Sequence, residues 1–199
     1  KKFIIFSKSS IRTELGIRSN IKLVGFIGRL SEQKAPLTCF KAIEKVVKLN
    51  PDCHFIFVGD GPERTEIEKF INERQLDNKV SLLGVRKDVP EILNNLDLFI
   101  LSSIYEGLGR SLTEALYCKV PIVATQVDGV SELIQNNRTG LLVPPRNPDR
   151  LADAIVYALD NIEKMRRLAR EGHKFVKLNF NVTEMVRNIE NIYVRLLNN

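Results

Sequence analysis

An α/β domain is what this sequence predicts: a Rossmann-like, doubly wound parallel sheet covered by helices on both faces. Three observations carry that expectation. Apolar runs alternate with helical periodicity from start to finish, the apolar runs are short and nearly continuous, and several end in glycine. Strands buried on both faces read this way, and strict alternation with helices makes the sheet parallel. The chain of 199 residues, 44% hydrophobic and 27% charged, has the balance of a folded globular protein. That balance excludes collagenous, repeat-dominated and disordered readings. Its longest stretches without Asp, Glu, Lys or Arg, Leu98–Tyr105 and Val120–Val127, are eight residues each, too short to span a bilayer.

Taken in order, Lys22–Gly28 reads as the first buried strand, and Ala35–Leu49 as a helix with Pro36 in its first turn. Cys53–Val58 is a strand, Gly59-Asp60-Gly61 a turn, and Pro62 opens a helix. Val80–Leu83 is expected as strand, Val89–Leu96 as a short helix and Asp97–Ser102 as strand. A helix near Arg110–Tyr117, a strand at Pro121–Thr125, a short helix around Ser131–Ile134 and a strand at Gly140–Val143 follow. Asn147-Pro148-Asp149 supplies a cap, a first-turn proline and a dipole-matched acid for the next helix. Another helix covers roughly Asn161–Lys177, and Thr183 caps the last, whose Met185, Val186, Ile189, Ile192, Tyr193, Leu196 and Leu197 form one apolar stripe.

Charge is uneven. The net +6 arises at the ends: residues 1–22 hold six Lys/Arg against one Glu, and residues 161–199 hold eight against four acids. The middle, with 16 Lys/Arg and 19 Asp/Glu, stands at −3. A nucleic-acid binder concentrates cations with aromatics on one surface, which this pattern does not do, and no nucleic-acid partner is expected. The basic ends read either as solvated termini or as flanks facing an anionic membrane or a partner domain. The three cysteines, Cys39, Cys53 and Cys118, form no CxxC, so neither a disulfide framework nor a zinc site is expected. A reducing cytoplasm is the natural setting. Beginning with Lys1 rather than Met, the chain is expected to be cut from something longer.

In doubly wound sheets ligands lie at the carboxyl ends of the strands. There the first strand gives Gly28-Arg29, followed by Lys34. This is not G-x-G-x-x-G, and an NAD-dependent reading weakens accordingly. Two cations beside a helix start suit a diphosphate, although solvated loop cations would look the same. After a later strand comes Tyr105-Glu106-Gly107-Leu108-Gly109-Arg110-Ser111-Leu112-Thr113-Glu114. Its glycines allow close backbone approach, and the amides of Gly109–Leu112 would point out of the helix start as anion donors. Either Glu106 or Glu114 could accept vicinal sugar hydroxyls. Two carboxylates could also make a glycosidase acid/base pair, but the phosphate-type cradle between them fits donor binding better. The loops at Gln126–Glu132, with Ser131 as a cap, and Val85-Arg86-Lys87 also reach the rim. His54 is expected in the core and His173 in solvent; neither has the company a catalytic histidine needs. No metal or cofactor is implied.

The ordered set Gly28-Arg29-x4-Lys34, Val58-Gly59-Asp60-Gly61-Pro62-Glu63-Arg64, Leu83-Gly84, Ser102-x3-Glu106-Gly107, Glu114-Ala115, Pro121–Thr125 and Gly140–Pro144 resembles the retaining nucleotide-sugar glycosyltransferases of family 4, the glycosyl transferases group 1. Glu106 and Glu114 reproduce its E-x7-E motif. The resemblance implies one half of a two-domain GT-B architecture, the half that grips a nucleoside-diphosphate sugar. Residues 1–22 would be the interdomain connection, 23–180 the donor-binding domain, and 181–199 an amphipathic helix packing near the missing amino-terminal acceptor domain. It implies that Arg29 and Lys34 hold the diphosphate, that Glu106 sits by the donor sugar, and that Glu114 accepts the ribose hydroxyls. Gly28, Gly107, Leu108, Gly109, Arg110, Ser111 and Leu112 would line the donor, and Arg86 would flank the base. The implied activity is transfer of a hexose, without a required divalent metal, from a UDP-sugar, with GDP-mannose as competitor. The acceptor would be a glycan or lipid-linked, in capsule, lipopolysaccharide or other surface polysaccharide or glycolipid synthesis. Such an enzyme would be cytoplasmic, peripheral on the membrane's inner face, and this half alone inactive. A GT-B nucleotide-sugar epimerase and a non-catalytic nucleotide-sugar module are the alternatives. Where the family usually has glycine, this sequence has Ala35, Lys119 and Asp128.

Overall fold

The computed structural model describes residues 10–180 and 182–197. A short helix, α1 (Ser10–Glu14), precedes β1 (Lys22–Ile27), a 3₁₀ turn (Glu32–Lys34) and α2 (Pro36–Leu49). Then come β2 (Cys53–Val58), α3 (Arg64–Glu73), β3 (Val80–Leu82), α4 (Val89–Asn95), β4 (Leu98–Leu101) and α5 (Arg110–Tyr117). The chain continues through β5 (Ile122–Thr125), α6 (Asp128–Leu133), β6 (Leu141–Val143), α7 (Pro148–Asp160), α8 (Ile162–Asn179) and α9 (Val182–Leu197). The sheet is parallel, with order β3-β2-β1-β4-β5-β6. This is the doubly wound order, and it reverses between β1 and β4.

Alternate strand residues feed two cores, one on each face. Val24, Phe26, Phe55, Phe57, Leu98 and Ile100 pack with α2, α3 and α7. Phe57 stacks between Phe40 and Phe26, with ring centroids 4.4 and 5.1 Å away, a geometry that aromatic quadrupoles favour. Leu23, Ile27, Ile56, Val58, Phe99 and Leu101 pack instead with α1, α4, α5 and α6. Helix α8 serves both: Met165 enters the first core and Val176 the second.

Helix starts differ from expectation in places. At α6 the helix begins at Asp128, so Ser131 lies inside it rather than capping it. Residues 62 and 63 form a turn before α3, and Thr183 falls within the first turn of α9. Asn147 does cap α7, its side chain accepting from the Arg150 amide at 3.0 Å. His173 is not solvated: Nδ1 lies 3.0 Å from the Tyr117 carbonyl oxygen and its ring packs edge-on against Tyr117, tying α8 to α5. His54 is half-buried, with Nε2 2.9 Å from Ser81 Oγ, and burial lowers its pKa. Along α9, Val186, Ile189, Ile192, Tyr193, Leu196 and Leu197 stand exposed, while the side chain of Met185 lies outside the described residues. Among the described residues no helix is long and apolar enough to cross a membrane.

Candidate functional site

The switch point brings two loops together. After β1, the chain runs through Gly28 and Arg29 into the 3₁₀ turn that carries Lys34; after β4 it runs through Ser102 and Ser103 to Glu106. One backbone and one side-chain bond fasten one loop to the other: Ile104 N donates to Gln33 O at 2.9 Å, and Gln33 Nε2 donates to Tyr105 O at 3.2 Å. Below them, Ser102 Oγ lies 2.8 Å from Lys34 O and 2.9 Å from Ala35 O, and it accepts from the Cys39 thiol at 3.1 Å. Burial pushes that thiol up to about 12, so it remains a protonated donor.

On this base Lys34 Nζ forms an ion pair with Glu106 Oε1. The pair is part-buried, with side-chain exposures of 16% and 5%. Ser103 Oγ donates to the same carboxylate oxygen at 2.7 Å, and Thr125 Oγ1 donates to Ser103 O at 2.5 Å. Neither Ser103 nor Gln33 stands out in the sequence; a hydroxyl three residues before a motif glutamate is the signal that could have found the former.

Gly129, from α6, presses on the same loop. Its amide donates to Glu106 O at 3.2 Å, and a Cβ there would lie 1.5 Å from Gly107 O. Only glycine fits such an approach. Gly59 plays a similar part behind Gly28, where an added Cβ would fall 2.0 Å from the Gly28 carbonyl oxygen. Two of the three positions where the resemblance leads one to expect glycine adopt left-handed backbone: Ala35 at φ 45° and Lys119 at φ 57°. Asp128 has no positive φ, so aspartate fits there without strain.

Around the pair lie groups with no partner of their own. Arg29 is exposed, and its side chain forms no ion pair or hydrogen bond among the described residues. The amides of Arg110, Ser111 and Leu112 precede the first intrahelical bond of α5, made by Thr113 N to Gly109 O at 2.9 Å. Gly107, Leu108 and Arg110 are exposed, whereas Leu112 is fully buried, so only its amide can meet a ligand. The carboxylate of Glu114, half-buried on α5, has no hydrogen-bond partner among the described residues. Burial raises its pKa, and the nearby Arg110 partly offsets this.

Arg86 stands differently. Its guanidinium is forked by Glu14 at 2.7 and 3.0 Å and by Asp88 at 2.9 and 2.7 Å, which raises its pKa and pins α1 beside α4. The structure therefore engages Arg86 with carboxylates, while Arg29, Lys34, Glu106, Glu114 and the start of α5 share the rim.

Comparison with known proteins shows the family of the chain. The family profile described as Glycosyl transferases group 1 matches residues 7–175. The chain is 31% identical over 167 residues to the alpha-D-kanosaminyltransferase of Streptomyces kanamyceticus, covering 83% of this chain and 43% of that protein. It is 28% identical to the UDP-Gal:alpha-D-GlcNAc-diphosphoundecaprenol alpha-1,3-galactosyltransferase of Escherichia coli, covering 93% of this chain and 48% of that one. The crystal structure of Anabaena HepE in complex with UDP and glucose superposes with a TM-score of 0.87 at 28% identity, covering 94% of this chain and 52% of that chain. The chain thus spans about half the length of the relatives it matches.

Proposed function

The chain belongs to the glycosyl transferases group 1 family, and we propose that it is the donor-binding half of a retaining glycosyltransferase that transfers a hexose from a nucleoside-diphosphate sugar. One observation carries this reading: Lys34 and Glu106 meet as a part-buried pair at the switch point, while the Arg29 side chain on the same loop and the Glu114 carboxylate on α5 have no hydrogen-bond or ion-pair partner among the described residues. An ammonium has three N–H donors. One engages Glu106, which leaves two for a diphosphate. The planar fork of Arg29 takes the other phosphate oxygens, and the amides at the start of α5 add neutral donors. Together these stabilise the charge that develops as the nucleoside diphosphate leaves.

Glu106, held by Lys34 and Ser103, faces the donor sugar and fixes a hydroxyl. Glu114 accepts both ribose hydroxyls side by side, which gives its desolvated carboxylate the donors it lacks. UDP is the favoured nucleotide, since relatives act on UDP-galactose or are found with UDP and glucose. The acceptor is a glycan or lipid-linked, bound by an amino-terminal domain against which α9 packs. The whole enzyme works in the cytoplasm, peripheral to a membrane, and makes a surface polysaccharide or glycolipid.

A thermal-shift panel of UDP, GDP, ADP, CMP and NAD tests the donor. A ligand at a hundred times its Kd adds about 2.7 kcal/mol of stability, a shift of several degrees for a domain of this size. UDP alone should raise the midpoint. Silence across the panel, in this chain and in the longer protein, would defeat the proposal.

A further inference from the structure

The two basic flanks of the sequence, far apart along the chain, meet in space. At the end of the sheet opposite the rim, where β1, β4 and β5 begin, there is a cleft of about 580 Å³. Arg12 and Lys22 reach it from one flank, Arg166 and Arg170 from the other, and Lys119 from the turn after α5. Asp97 is the one acid among its lining residues, and it is already engaged. Its Oδ2 accepts from Arg12 Nη2 at 2.6 Å and from the Leu23 amide at 2.9 Å. Lys22, Lys119 and Arg170 form no ion pair among the described residues.

Helix carboxyl ends attract cations, but the last carbonyls of α5 are already bonded. Glu114 O, Ala115 O and Leu116 O each accept a backbone amide at 3.0 Å. Lys119 also holds φ 57°, a left-handed conformation that is unfavourable for any residue with a Cβ. Arg12 and Arg166 are paired with Asp97 and Glu163, but Lys22, Lys119 and Arg170, with Lys119 on strained backbone, line the same concave space with no acid of their own among the described residues. Strain and uncompensated charge of this kind concentrate where a ligand completes the arrangement.

We propose that this cleft binds a phosphate-bearing anion, at a site separate from the donor's diphosphate. Cations converging from several directions, three of them guanidinium forks, suit a multiply charged tetrahedral group better than a single carboxylate. The same chemistry occurs in free phosphate or diphosphate and in the headgroup of an anionic phospholipid. The inference does not depend on the donor reading, because the two sites lie at opposite ends of the sheet.

The test titrates inorganic phosphate and pyrophosphate by calorimetry, and measures co-sedimentation with phosphatidylglycerol or phosphatidylcholine vesicles. The chain is compared with Lys119→Gly, Arg170→Glu and Arg29→Ala. Lys119→Gly removes a cation and also relieves the backbone, so lost binding with an unchanged or raised melting temperature cannot be misfolding. Loss of one charge-assisted contact should weaken binding about tenfold, and added salt should weaken it further. Binding of the soluble anions assigns a free-phosphate ligand; binding of phosphatidylglycerol vesicles alone assigns a headgroup. No binding of either kind overturns the proposal. So does binding that Lys119→Gly and Arg170→Glu leave unchanged, or that Arg29→Ala abolishes.

Discussion

Lys34 and Glu106 meet at the carboxyl rim of the sheet as one part-buried pair, whereas at its base five cations line a cleft whose one acid, Asp97, pairs with Arg12 and lies 4.0 Å from Arg166. The pairing at the rim fixes geometry: two loops from different strands are locked through Ser102, Ser103 and Gln33 before any ligand arrives. The crowding at the base fixes no such geometry and instead creates a positive field. The first arrangement is built to position a ligand, the second to attract one. Glycine and its replacements follow the same division. Gly129 stays glycine because backbone approaches within reach of its missing Cβ, while Lys119 carries a side chain through a left-handed turn.

The strongest way to break the rim is Gly129→Ala. With an added Cβ 1.5 Å from Gly107 O, α6 must move away from the Glu106 loop. A loss of roughly 3 kcal/mol in denaturant unfolding is expected. An unchanged transition midpoint would mean the contact is softer than described.

Next comes Ser102→Ala, which removes the hydroxyl linking β4 to the Lys34 turn and leaves the Cys39 thiol and two carbonyls without it. The expected loss is about 1.5 kcal/mol. Nucleotide affinity should fall too, because Lys34 loses its support.

Smaller gains should come from relieving left-handed backbone. Ala35→Gly at the rim and Lys119→Gly at the base should each stabilise by about 0.5 kcal/mol, strain relief being partly offset by the greater freedom of glycine in the unfolded chain. At low salt the Lys119 variant should gain more, since it also thins the cation cluster, and high salt should erase the difference. Melting curves across a salt series read this directly.

The smallest effect is one of pH. Burial raises the Glu114 pKa, so in the window above its unfolded value the native chain holds a proton that the unfolded chain has released. Stability therefore falls as pH rises through that window. Glu114→Gln should stabilise the ligand-free chain at neutral pH, and the gain should disappear in acid below the ordinary glutamate range. A gain independent of pH would point to packing instead.

Much of the rim was legible in the sequence. Gly28, Arg29, Lys34, Glu106 and Glu114 lie in short motifs, and strict alternation fixed the sheet that brings β1 and β4 side by side. Helix starts were less legible, as at Ser131, because a serine near a helix carries cap propensity wherever it falls, while α6 begins at Asp128. Arg86 was expected to flank the base; its partner Glu14 sits 72 residues away, a separation no local pattern reveals. The base was the least legible. Its cations come from positions between Arg12 and Arg170, so the sequence showed two basic ends and only the fold made them one cleft.

The most direct measurement is a calorimetric titration of UDP into the wild-type chain, Arg29→Ala, Glu114→Ala and Lys119→Gly. One bound UDP is expected, about tenfold weaker in Arg29→Ala, weakened to a smaller degree in Glu114→Ala, and unaffected by Lys119→Gly. UDP binding that survives both rim substitutions, or that the base substitution removes, would contradict the assignment of the nucleotide to the switch point.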